Sequence, residues 1–157
     1  MTALYKQSWS MIYPSVYFIL RSKADAEDAM QEGYIKGFGK LEELRQPERY
    51  LSWQKSICIR EALNRYKKDK KHLEWEKEEK VVNSLNDASV LDDWPIDQML
   101  GELKKLPHGY QVVIQLHAME GISHEEIGNQ LGIAASTSRS QYSRAIMKLK
   151  QEMNIKR

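Results

Sequence analysis

The sequence predicts an all-α protein built from two small helical domains joined by an acidic linker. Three observations lead there. Apolar residues recur at helical spacing, with no strand-like alternation. Only four prolines interrupt 157 residues. Charge comes in blocks: residues 1–71 hold 14 Lys and Arg against 9 Asp and Glu, residues 72–100 hold 2 against 8, and residues 101–157 hold 8 against 5. A basic, acidic, basic order reads as two modules around a spacer. The boundaries fall at residues 1–71, 72–96 and 97–157.

The first element, Tyr5–Leu20, is apolar and aromatic, with Trp9, Ile12, Val16, Tyr17, Ile19 and Leu20. It reads as one or two buried helices, interrupted near Pro14. A helix over Ala24–Leu44 follows, with Asp25, Glu27 and Asp28 in its first turn, where carboxylates oppose the macrodipole favourably. Ala29, Met30, Tyr34, Ile35, Phe38 and Leu41 form its expected core face. Asp28, Gln31 and Glu32 form the other. After a loop with Pro47, a third helix runs from about Arg49 to Lys68 and ends in the basic run Lys67–Lys71.

The C-terminal module carries the plainest local signals, in GISHEEIGNQLGIAASTSRSQYSRAIMKLK (Gly121–Lys150). Ser123 and Glu126 have capping-box spacing at a helix start. Ile127 and Leu131 share one helical face. Gly128 leaves room for a neighbouring helix. Gly132 stands where a left-handed residue ends a helix, and Ile133 plugs the turn. A second helix then spans about Ala135–Gln151. Ser138, Tyr142, Ala145 or Ile146, and Leu149 would face inward. Ser136, Thr137, Arg139, Ser140, Gln141, Arg144 and Lys148 would face outward. This is the build of a helix-turn-helix DNA reader, whose hydroxyls and cations suit phosphates and base edges. A helical hairpin with a solvated polar face has the same pattern. Ala134 is a poor N-cap for the second helix, and Ser138 is an odd residue for a core position.

Bulk composition narrows the class. Hydrophobic content of 41% and charged content of 29% are ordinary for a globular protein. Cys58 is the single cysteine, so no disulfide forms within the chain, and no Cys/His spacing suggests a zinc site. Cys58 lies in an apolar run and reads as a small core residue. Neither a signal peptide nor a membrane span is visible, so the expected location is the cytoplasm. The net charge of +2 barely argues for nucleic acid.

Several residues carry two readings. Asp28 and Glu32, at i and i+4, could hold a metal or do acid–base work, but no His or third carboxylate falls in register. An exposed acidic face is the plainer account. Trp53 fits a core position or a base-stacking platform. The Lys run fits a solvated helix end or a phosphate clamp. The acidic stretch at residues 72–96 fits a flexible spacer, though Trp75 and Trp94 suggest that parts of it pack.

Taken together, the strings DAEDAMQEGYIKGFGKL (Asp25–Leu41) and YLSWQKSICIREALNRYKK (Tyr50–Lys68) resemble region two of sigma-70 family sigma factors of the extracytoplasmic-function (ECF) group. The stretch Leu106–Lys150 resembles their region four. Region four alone is easily confused with a stand-alone LuxR-like helix-turn-helix regulator. Both halves in this order are far more specific.

The resemblance implies a non-enzymatic subunit that binds core RNA polymerase and directs it to promoter DNA, with no cofactor, no metal and no small-molecule substrate. It implies that Asp28, Gln31 and Glu32 dock on the clamp helices of the β′ subunit, and that region four meets the β flap. It implies that the loop near Leu44–Arg49 and the helix face of Trp53, Ser56, Arg60, Asn64, Lys67 and Lys68 take the −10 element as unstacked single strand, for which a cationic track with a flat ring is suited. Ser136, Thr137, Arg139, Ser140, Gln141 and Arg144 would read the −35 element, with Arg139 or Arg144 the leading guanine or phosphate contact. The acidic linker would thread the polymerase channels. An anti-sigma factor, often membrane-anchored, is a further implied partner. The sequence departs from the family's commonest pattern at Arg60, Ser138 and Gln141.

Overall fold

The computed structural model describes residues 2–69 and 95–155. It divides into two units, Met1–His72 and Leu73–Arg157. Both are helical, with no strand among the described residues. The acidic stretch at 72–96, with Trp75 and Trp94, lies outside the described residues except for Pro95 and Ile96, as do Lys70 and Lys71.

The first unit packs three helices. Helix α1 (Thr2–Leu20) runs unbroken through Pro14, contrary to the expected interruption. Proline removes an N–H and crowds the carbonyl four residues back. Pro14 and Ser10 are both exposed, so the carbonyl that loses its donor can turn to water. Helix α2 (Lys23–Gly39) starts on Ser22, whose hydroxyl accepts the Asp25 N–H at 3.3 Å. It ends sooner than expected. The Lys40 N–H reaches both Lys36 and Gly37 carbonyls at 3.1 Å, and the chain tightens into a 3-10 turn at Leu41–Glu43. A second such turn, Pro47–Arg49, leads into α3 (Tyr50–Asp69).

The inward face of α2 also differs from the expected one. Ala26, Ala29, Met30, Gly33, Tyr34 and Gly37 are buried, whereas Ile35 is 71% exposed and Phe38 and Leu41 are also exposed. Glycine decides this. A Cβ on Gly33 would lie 2.6 Å from Cys58 Sγ and 3.0 Å from Cys58 Cα, and one on Gly37 would strike the Gln54 amide. The two helices meet through their smallest residues, and the next positions on α2 swing outward. Gln54, fully buried, donates from Nε2 to the Gly33 carbonyl at 3.0 Å. Ile12, Val16 and Ile19 of α1 and Ile59, Ala62 and Leu63 of α3 complete the core. Ser8 Oγ and the Tyr34 hydroxyl are 2.6 Å apart beneath the rings of Tyr5 and Trp9. Cys58 is buried as expected, and burial pushes its thiol up to about 11.

In the second unit α4 (Ile96–Leu103) and α5 (His108–Ile114) precede a π-helical segment, Gln115–Met119. The Gln111 amide ties their junction, donating to the Lys104 carbonyl at 3.2 Å and the Leu106 carbonyl at 2.5 Å. Helices α6 (His124–Leu131) and α7 (Ala135–Ile155) follow. Leu103, Val112, Val113, Leu116, Ile127, Ile146 and Leu149 are buried between them. Among the described residues no helix is long and apolar enough to cross a membrane.

Candidate nucleic-acid interface

The turn between α6 and α7 is built as its residues demand. Ser123 Oγ accepts the Glu126 N–H at 3.2 Å and opens α6. Gly132 closes it in the left-handed region, φ 71° and ψ 34°, where a side chain would be strained. Gly128 leaves room for the turn and for the start of α7, as expected: a Cβ there would lie 2.6 Å from the Ile133 carbonyl oxygen and 3.2 Å from the Ala135 backbone nitrogen.

Helix α7 then presents Ser136 and Arg139 to solvent, with Thr137, Ser140 and Arg144 half-buried. Tyr142, Ala145, Ile146 and Leu149 face inward. Gln141, expected on the outer face, is 3% exposed. It lies three residues after Ser138 and four before Ala145, both fully buried, so helical spacing places it on the packed side. Lys148 is exposed, but its ammonium lies 4.8 Å over the Tyr110 ring.

A compact polar cluster joins the two helices. His124 Nδ1 and Ser138 Oγ are 2.8 Å apart, which gives the odd core serine its partner. The His124 ring stacks on His117 of the π segment, with centroids 4.0 Å apart, and both rings meet Tyr142 edge-on. His117 Nδ1 lies 2.8 Å from the Ile122 carbonyl; a carbonyl only accepts, so Nδ1 carries the proton. Burial first, then His117 and Arg139, lower the His124 pKa to about 4, against the opposing pull of Glu125. One residue on, the exposed Glu125 carboxylate holds Arg139 Nη1 at 3.0 Å. The backbone N–H at the helix start, and then Arg139, hold the Glu125 carboxyl below its usual range. None of these links was expected from the sequence. The i, i+14 spacing of both pairs was the available signal.

In the first unit Ser56, Arg60, Asn64, Lys67 and Lys68 form one exposed stripe along α3, with Trp53 half-buried near its start, 6.4 Å from the Tyr50 ring. Trp53 is thus neither a full core residue nor a free platform. Asp28, Gln31 and Glu32 are exposed on α2. The two carboxylates are not unpartnered: Arg65 of α3 reaches Glu32 at 2.7 Å and Asp28 at 3.9 Å. One turn along, Lys36 pairs with the buried Glu61. Glu32, Lys36, Glu61, Arg65, Asn64 and Lys67 line an open groove between these helices. Arg65, and the exposed Ile35 one turn beyond Gln31, are the neighbours that sequence reading missed.

Comparison with known proteins matches residues 4–72 to sigma-70 region 2 and residues 96–149 to sigma-70 region 4. Among curated proteins the chain is 28% identical over 134 residues to the RNA polymerase sigma factor SigV of Bacillus subtilis (strain 168), spanning 85% of this chain and 79% of that one. Among solved structures it resembles the sigma factor RpoE in complex with the anti-sigma factor NepR from Bartonella quintana. That match has a TM-score of 0.52 and 19% identity, over 97% of this chain and 98% of that one.

Proposed function

This chain belongs to the ECF group of the sigma-70 family of RNA polymerase sigma factors and directs promoter-specific transcription initiation; from that premise we propose how its residues divide the work. The observation that carries the reading is the presence of both regions in one chain, in order, each on a helical unit with a polar face. A stand-alone LuxR-like regulator would have no use for the region-two unit, which matches over residues 4–72.

On this reading the α2 face of Asp28, Gln31 and Glu32 docks on the polymerase clamp, joined by the exposed Ile35 and Phe38. Carboxylates around an apolar patch suit a basic partner surface with an apolar centre. The α3 stripe takes the −10 strand: Arg60, Lys67 and Lys68 track phosphates, Ser56 and Asn64 offer hydrogen bonds, and Trp53 offers the edge of a stacking surface. On α7, Ser136, Thr137, Ser140, Arg139 and Arg144 read the −35 duplex. Gln141, packed inside, supports the helix. The chain acts as a binding subunit without catalytic activity, in the cytoplasm, where its polymerase is. An anti-sigma factor is a fitting regulator, since a related fold is seen with one.

Run-off transcription on a promoter library, with core polymerase alone and with the added chain, tests this. The expected result is new transcripts from a subset of templates. The same transcript spectrum with and without the chain sinks the reading.

A further inference from the structure

A helix that reads bases must hold its roll about its own axis to within about 10–20°. Apolar packing alone is non-directional and sets that roll poorly. Helix α7 also starts at Ala135 after Ala134, which has no side-chain oxygen to cap it. Two consecutive residues at the start of α6 answer both needs. His124 bonds Ser138 inside, and Glu125 bonds Arg139 outside, each across fourteen residues of chain. The inner contact is well made. Ser138 is fully buried, and His124 is braced by His117, whose own ring is fixed by the Ile122 carbonyl.

We propose that His124 and Glu125 are positioning residues for promoter reading: the His124–Ser138 bond sets the roll of α7, and the Glu125–Arg139 pair aims the guanidinium. The proposal rests on the reading that α7 enters the −35 major groove. Glu125 has a second effect there. A carboxylate beside Arg139 competes with phosphate for the guanidinium, so it suppresses sequence-independent attraction and favours a bidentate base contact.

The test uses the full chain with core polymerase on a template selected by the wild-type protein from a library randomised over the −35 region, paired with templates altered at single −35 positions. The readout is the ratio of transcript from matched and altered templates. Loss of folded protein scales both alike and leaves that ratio unchanged. In the pair variant His124→Phe/Ser138→Ala, the ring stack stays and both polar atoms go, so none is left buried and unpaired. Its ratio should fall about fivefold or more, with polymerase binding retained. Ser138→Ala alone carries the same test if the pair variant does not fold. Glu125→Gln should lower the ratio at one base pair and steepen the salt dependence of DNA binding by about one phosphate's worth. Unchanged ratios in variants of a wild-type chain that is selective overturn the positioning role alone. A wild-type chain that drives no −35-dependent transcript overturns the functional reading and this proposal together.

Discussion

Arg65 lies 2.7 Å from the Glu32 carboxylate and 3.9 Å from that of Asp28, so one cation of α3 holds both acids of the α2 face. The acids are more than half exposed, and such pairs contribute little to stability, at most about 1 kcal/mol. On the docking role proposed above, their consequence is for association. Arg65→Ala should leave the melting temperature nearly unchanged and unmask two negative charges. Association with core polymerase at low salt should then quicken by a factor between about two and ten, most of it lost at high salt. Asp28→Ala/Glu32→Ala should slow it. Stopped-flow or surface binding across a salt series reads both, and equal rates in all three proteins would remove this face from docking.

Glycine packing gives a stability contrast. Gly33→Ala forces a Cβ onto the Cys58 backbone and should destabilise the protein by about 1–3 kcal/mol. Gly101 sits within α4 with nothing near its would-be Cβ. Gly101→Ala should stabilise by about 0.5–1 kcal/mol through helix propensity. Urea titrations of the two variants check the opposite signs.

Titration of His124 predicts an acid-sensitive DNA-reading unit. Its pKa lies near 4 in the folded state against the ordinary 6.5, because burial, His117 and Arg139 disfavour the cation while Glu125 favours it. Between those values the unfolded chain binds more protons than the folded one, so stability rises with pH. The contribution is complete above about 6.5 and drains away as pH falls towards 4. His124→Phe should flatten this part of the pH profile of thermal unfolding. A slope identical to that of the wild type would show that another group controls it.

Burial separates Gln141 from the outward-facing polar residues of α7, Ser136 and Arg139. Gln141→Leu should keep the wild-type order of preferred −35 elements. Arg139→Ala should relax preference at one position, at a cost of about 1–3 kcal/mol in discrimination. Transcription from single-base-altered templates distinguishes the two outcomes.

Where the sequence was legible, the signal was local. Ser123 and Gly132 mark the ends of α6 because a cap and a left-handed turn each need a particular residue type. Helical periodicity likewise located α3 and α7. What escaped were the cases where packing overrules the local rule. Ile35, Phe38 and Leu41 looked like core until Gly33 and Gly37 proved to be the contact surface. Pro14 looked like a break because its solvent exposure cannot be read from spacing. Gln141 was assigned by its chemistry and not by its distance from Ser138. The histidine cluster depends on a π-helical turn that shifts His117, and nothing in QLHAM announces an extra residue per turn.

The outward turn of Ile35 and Phe38 has a colloidal side. An exposed apolar patch also invites copies of the same chain to meet on it. Asp28, Glu32 and Lys36 stand on the turns around it and act as gatekeepers. With Arg65 and Glu61 beside them, they ring the patch with charge of both signs, which a second copy must strip of water before the apolar residues meet. The spacing of those charges therefore bears on how much free protein a cell can hold in reserve.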